Sequence, residues 1–526
     1  MKKDDIIREM LASSSTHKGW GGPTMDRRKL LLAGSSLAVA AALPVLPFAP
    51  GAEAHRSRHG LLRTKLRVRF ARNRIGDVPV FTRTFDGRIP GPTLRMRPGD
   101  TLQLRLFNDL PPEAEEPMDH INMPHGFNIT NLHTHGLHVS PKCNADGTVC
   151  SDNVLIEIEP GESQLFEFAL PRNHPDGTYW YHPHKHGSGA IQVMGGMAGA
   201  LIIEGDTDDF LRAHGVTRDR VFVLQAIKPN PFISVSSFLT PPMFTVNGQS
   251  QPTIHIRPGD VQRWRFINAS EHEHMPLVLR ADVGHAPQTF HQLAYDGITL
   301  PKLEEAQHLF LASGNRVDVL VKIDKPGVYR LIKPEHNQGT SAAGEPETIP
   351  EEVLATVVVA GKPEDTPLPR GRLPRPSSAL PPIRNHEIDR TRLVTFSVDF
   401  STSPIQFLVD GKLFDPNRVD QLIQLGAVEE WTVINTSPSD HPFHIHQNPF
   451  VVTEIKGDPL GRPVAKLPLW LDTVNVPRNT GFPDMSHPGS VTFRSRFEDF
   501  DGKFVLHCHL IHHSDMGMMQ IVEVVR

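Results

Sequence analysis

The sequence predicts an all-β chain built from three β-sandwich domains. Its 526 residues exceed one ordinary domain, and 48 prolines with 40 glycines point to many strands and turns rather than long helices. A turn-and-strand unit recurs three times. Arg97-Pro98-Gly99-Asp100 leads into a run ending at Asn108, Arg257-Pro258-Gly259-Asp260 into one ending at Asn268, and Gly426 into Val428–Asn435; each step from Gly to Asn is nine residues. A second unit recurs downstream, with Gly177 before Tyr179-Trp180-Tyr181, Gly327 before Tyr329 and Gly502 before Phe504. A glycine turn feeding an alternating or aromatic run is the pattern of a sandwich strand.

In chain order, residues 1–54 read as an export signal. Asp26-Arg27-Arg28-Lys29-Leu30 carries a twin arginine, an apolar run continues to about Leu46, and Ala52-Glu53-Ala54 offers a small-x-small cleavage site before His55. The run is short and broken by Gly34, Ser35, Ser36 and Pro44, so cleavage is expected rather than membrane anchoring. Whether translation starts at Met1 or Met25 stays open. Export through the twin-arginine machinery would place the mature chain in the periplasm or outside the cell, with no membrane span.

Domain 1 is expected over 62–205, followed by a short acidic linker near Asp206–Asp209. Domain 2 covers 218–360, a Pro- and Arg-rich linker 361–385, and domain 3 386–526. Cys143 and Cys150 form a disulfide on this reading, as an oxidising compartment permits, with two free thiols as the alternative. A net charge of −5 gives no basic footprint for nucleic acid.

The chemistry sits in the histidines. His133-Thr134-His135, His182-Pro183-His184 and His444-Ile445-His446 each place two imidazoles on one face of an extended strand. In His507-Cys508-His509 the flanking histidines leave one face and the cysteine the other, so Cys508 can hold one metal while its neighbours reach others. Counting the pairs gives eight cluster histidines and leaves His441, Cys508, His513 and Met518. Two imidazoles, a thiolate and a weak thioether suit electron-transfer copper. Taken alone, Cys508 would read as a small buried hydrophobe and Met518 as core; their spacing argues otherwise. The second repeat is blind to metal: Leu277, Leu279 and Ile332 stand where the others carry ligands, which makes the middle domain a spacer and scaffold.

The segments LHTHG, WYHPHKHG, HPFHIH and HCHLIHHSDMGMM resemble those of multicopper oxidases, most closely the three-domain, laccase-like bacterial members. The resemblance implies three cupredoxin-like Greek-key β-sandwiches and four copper ions. It implies a type 1 copper on His441, Cys508, His513 and Met518, and a type 2 copper on His133 and His444. A type 3 pair would sit on His135, His182, His184, His446, His507 and His509, and since the family uses two histidines from each cluster, the resemblance leaves His138, His186 and His512 as non-ligands. The activity implied is oxidation of phenols or aromatic amines coupled to reduction of O₂ to water, in a monomer. Electrons would enter by an outward ring edge of His441 or His513. An alternative is oxidation of Cu(I) or another metal ion, although no Met-rich insert is present; a copper-free scaffold of the same fold is a third reading. The family places a proton-relaying Asp after the first His-x-His, where Asp152 is preferred over Asp146. Many bacterial relatives carry Glu where Ser514 stands here, and Asp515 is the expected substitute.

Overall fold

A computed structural model describes residues 54–526 except 114–119, 229–240, 341–344, 375–379, 459–465 and 483–485. The expected export signal lies outside the described residues, save for Ala54, which opens the strand Ala54–Arg56.

Six large sheets form three pairs of matching topology. In the first sandwich, Val78–Phe85 pairs with Leu61–Ile75, which runs parallel to Thr101–Asn108, which lies antiparallel to Ser163–Ala169. The order returns as Met243–Val246, Arg218–Ile227, Val261–Asn268 and Arg316–Lys322. It returns again as Gln406–Val409, Arg390–Asp399, Val428–Asn435 and Gly489–Arg496. The facing sheets repeat as well. Thr93–Met96, Gly199–Ile203, Gly177–His182 and His133–His135 make the first. Thr253–Ile256, Glu352–Val359, Gly327–Lys333 and Met275–Ala281 make the second, and Val419–Gln424, Met519–Val525, Gly502–Cys508 and His441–Ile445 the third.

The repeated asparagine has one job in all three sandwiches. Asn108, Asn268 and Asn435 are fully buried. Each donates its amide to two backbone carbonyls of the following loops: Asn128 and Ile158, Glu273 and Leu311, Ser439 and Val476. Each also accepts from the amide two residues on. A buried loop must satisfy its backbone groups internally, and this residue does so for the loops that follow its strand in each sandwich. Trp264 and Trp431, four residues before their asparagines, fill the second and third cores. Those two cores form one continuous apolar cluster, while the first sandwich keeps its own.

Two expectations meet the structure here. The acidic stretch Asp206–Asp209, expected as a short linker, opens a helix, Asp206–Ala213: three acids in its first turn suit the positive end of the helix, and Asp208 accepts the Gly205 amide. Cys143 and Cys150 are joined in a disulfide, next to the loop that carries Asp152.

Candidate metal centres

The first and third sandwiches each present a ladder of imidazoles. His133 lies opposite His182 on one pair of strands, and His444 opposite His507 on the other. The two faces meet, with His133 stacked on His446 at 3.8 Å and His135 on His444 at 3.9 Å between ring centres. All eight cluster histidines are buried. The side-chain alternation along Gly502–Cys508 sends Cys508 the other way, to His441 at 3.4 Å and His513 at 3.8 Å. His441 and His513 approach within 3.2 Å through their Nδ1 atoms. The chain then folds back: the Cys508 amide donates to the Met518 carbonyl and the Met518 amide to that of His513. Met518 is fully buried.

Hydrogen bonds fix which ring nitrogen carries the proton. The Nδ1 atoms of His182, His444 and His507 face carbonyl oxygens of Pro183, Asp472 and Cys508 at 2.7–2.9 Å. That of His133 faces Asp152 at 2.9 Å. Carbonyls and carboxylates only accept, so these Nδ1 atoms donate, that of His133 whenever Asp152 is ionised, and the Nε2 lone pairs are left bare. The buried Nε2 atoms of His133, His182 and His444 have no hydrogen-bond partner among the described residues. The Nε2 atoms of His184 and His446 converge on that of His507, at 3.0 and 3.4 Å. Buried nitrogens aimed at one another without donors are a ligand set for cations.

Burial holds His133, His135, His182, His446, His507 and His509 well below the usual imidazole range, and repulsion among neighbouring rings adds to it. His184 and His444 fall to about 4, again chiefly through burial. The site therefore holds neutral imidazoles, the form that ligates. Burial also pushes the Cys508 thiol up, so a bound cation is needed to hold it as thiolate. A pH dependence follows. The folded histidines stay neutral while those of the unfolded chain take up protons as pH falls through about 6.5, so histidine-derived stability is lost toward acid. Asp152, Glu273, Asp296 and Asp515, raised to about 7 by burial, oppose this, since their contribution is lost as pH rises from about 4 to 7. The imidazoles outnumber them. The urea midpoint of the metal-free protein should therefore drop between about pH 7.5 and about pH 5; a flat or rising midpoint would contradict this.

The carboxylates separate clearly. Asp152 is buried against the cluster: it accepts from the amide and hydroxyl of Thr134, from His133 Nδ1 and from Gln447 Nε2. Asp146 is solvent-exposed and bonded to Thr148 in its turn. Asp515 is buried, but it accepts the amides of Gly187 and Ala190 and bonds no cluster histidine, so it ties the third sandwich to the first. His138 binds the Gln447 carbonyl and Asp499, His186 binds Asn122, and His512 binds Glu271.

Of the outward ring edges expected of His441 or His513, that of His441 is covered at 0% exposure and that of His513 is small, at 6% exposure with Phe407 stacked on it at 4.1 Å. Sequence reasoning also missed Asp472 and Thr473, both at His135 Nε2, and Ser313 at His509. A carboxylate interrupting the apolar run Leu469–Val476 was the available signal for Asp472.

Repeated sandwiches with a buried Cys–His–His set beside an eight-histidine cluster define a copper-dependent oxidoreductase. Two family models described as multicopper oxidase match residues 73–208 and 387–526. The multicopper oxidase mco of Staphylococcus aureus is 24% identical over 84% of this chain and 83% of its own. A laccase of Bacillus stratosphericus is 26% identical over 84% of this chain and 90% of its own. The 2F4 variant of the McoA multicopper oxidase from Aquifex aeolicus shares the fold, with a TM-score of 0.71 at 22% identity, covering 90% of this chain and 99% of that one. The chain belongs to the multicopper oxidase family, as a laccase-like oxidoreductase that uses copper and O₂. Among the described residues, no helix is long and apolar enough to cross a membrane.

Proposed function

We propose that the chain oxidises phenols and aromatic amines one electron at a time and passes the electrons to O₂. His441, Cys508, His513 and Met518 would hold a type 1 copper, and His133 with His444 a type 2 copper. One type 3 copper would sit on His184, His446 and His507, the other on His135, His182 and His509. Copper bound there would supply one-electron oxidation of the donor and four-electron reduction of O₂ to two waters. The observation that carries this reading is the placement of Cys508: its side chain meets His441 and His513, while His507 and His509 on either side meet the other cluster. The backbone from Cys508 to its neighbours is thus a short covalent path between the two sets.

Asp152 would hand protons to the cluster, since it touches His133 and its carboxyl is pushed up to about 7 by burial. The middle sandwich, domain 2, would carry no copper. The donor class is favoured by the laccase of Bacillus stratosphericus. Because His441 and His513 are covered, the donor would dock against Phe407 and the part-exposed His512 rather than on a ligand edge. Export by a twin-arginine signal, residence in the periplasm or outside the cell and a monomeric state complete the reading.

Oxygen uptake by the copper-loaded protein, fed in parallel with a phenol and with Cu(I), tests it. Preference for the phenol supports the proposal; preference for Cu(I) replaces it with metal-ion oxidation. The axial role has its own test. Met518→Leu should retain turnover and raise the type 1 potential, since a weak axial donor is lost. An unchanged potential in redox titration removes Met518 from the ligand set.

A further inference from the structure

We propose that the turn Ser313–Arg316, carried by the sandwich without copper ligands, positions two histidines of the cluster. Ser313 sets the tautomer and ring plane of His509, and Arg316, acting through Asp472, sets those of His135. The inference rests on the copper arrangement proposed above.

The Ser313 hydroxyl lies 2.6 Å from the Ser270 carbonyl, 3.0 Å from the His509 carbonyl and 3.1 Å from His509 Nδ1. It has one hydrogen, and the carbonyls can only accept it. Toward the imidazole the hydroxyl oxygen must therefore accept, so His509 Nδ1 carries the proton and Nε2 is bare. Gly314 sets the ring plane: its φ is +92°, and a Cβ there would sit 3.0 Å from three atoms of the His509 ring. Only a glycine brings the backbone this close to the ring.

His135 is held the opposite way round. Its Nε2 lies 3.1 Å from both Asp472 Oδ1 and Thr473 Oγ1. The Thr473 hydroxyl donates to Asp472, so its oxygen and the carboxylate both accept from the ring. Arg316 is fully buried and grips Asp472 with both terminal nitrogens, while its Nε donates to the Thr178 carbonyl of the first sandwich. Gly136, next to His135, leaves room for this pair, since a Cβ there would strike both Asp472 and Arg316.

The outcome is a bare Nδ1 on His135 facing a bare Nε2 on His509 at 3.2 Å. Two lone pairs at that distance in a dry interior repel until a cation lies against both. The other locking partners named above, Asp152 and the carbonyls of Pro183, Asp472 and Cys508, come from the first and third sandwiches. The middle sandwich thus completes one half of the type 3 site by reaching histidines on both sides of it.

Copper-loaded wild type, Ser313→Ala, Ser313→Thr and Arg316→Lys would be compared by copper content against a competing chelator, by the blue absorption of the Cys508 site and by the near-ultraviolet absorption of the type 3 pair. Ser313→Ala should hold cluster copper about 10–100-fold more weakly and lose the near-ultraviolet band, with the blue band unchanged. Ser313→Thr, which keeps the hydroxyl, should restore both. Arg316→Lys should weaken the same band, because lysine cannot reproduce the two-pronged grip. A wild-type protein without the near-ultraviolet band overturns the copper arrangement and the inference with it. A wild type that has the band and a Ser313→Ala that matches it overturns the inference alone. Equal loss of the blue and near-ultraviolet bands in Ser313→Ala also overturns it, since that is general loosening.

Discussion

Replacing Cys508 by serine abolishes the blue colour and donor oxidation while the chain still folds. The thiol is buried, with His441 and His513 at 3.4 and 3.8 Å. Serine is close in size and keeps the backbone bond to Met518, so the strand Gly502–Cys508 retains its pairing. Its hydroxyl is a far harder and less acidic donor than a thiol, and it supplies no soft anionic ligand for copper. Loss of a direct ligand should exceed the roughly 10–100-fold cost of losing an outer hydrogen bond, so turnover should fall by more than about 100-fold. On the proposed copper arrangement, the near-ultraviolet band of a type 3 pair should survive, because His507 and His509 point to the other side. Steady-state oxygen uptake and circular dichroism check both halves. Retained turnover would sink the idea that electrons pass through this residue.

On the proposed copper arrangement, Asp152→Asn slows O₂ reduction without slowing reduction of the type 1 copper. The native carboxylate receives four hydrogen bonds, two from Thr134, one from His133 and one from Gln447. Asparagine can accept the Thr134 pair with its oxygen, but its amide then faces the donors on His133 and Gln447. His133 loses the partner that bares its Nε2, and the expected cost is about 10–100-fold in the O₂ step. The charge change has a second signature. A carboxyl raised to about 7 is protonated below that pH and can donate. O₂-limited turnover should therefore fall as pH rises through that region, and the variant should lose this inflection. Asp146→Asn, at an exposed turn, should leave both intact. Stopped-flow reoxidation of the reduced protein across pH separates these outcomes, and an effect confined to Asp146→Asn would move the relay there.

Much of this was legible in the sequence because the signals are local. A glycine turn, an alternating strand and a terminal asparagine lie within nine residues, and two-residue periodicity places both histidines of each pair on one face. The apolar character of the middle sandwich at the matching positions was legible for the same reason, since Leu277, Leu279 and Ile332 fall there and are buried as core. What escaped depends on contacts across the chain. Ser313 meets His509 across 196 residues, and Arg316 meets Asp472 across 156; no pattern in either segment names its partner. The covering of His513, on the short helix Ile511–Asp515, depends on Phe407, from the strand Gln406–Val409. The acidic helix Asp206–Ala213 was read as a linker because eight residues are too few to display an apolar period.

The partition of the cluster between the first and third sandwiches also shapes how the molecule comes apart. His135 and His509 are separated by 374 residues of chain, and the first sandwich has a core of its own. Ions that grip both faces bind only when both ends are docked, so their binding free energy is spent on holding the ends together. Metal-free chains can then open at this seam while each core survives. Loaded chains should then melt as one cooperative body, with bound copper as the clasp between two ends of the polypeptide.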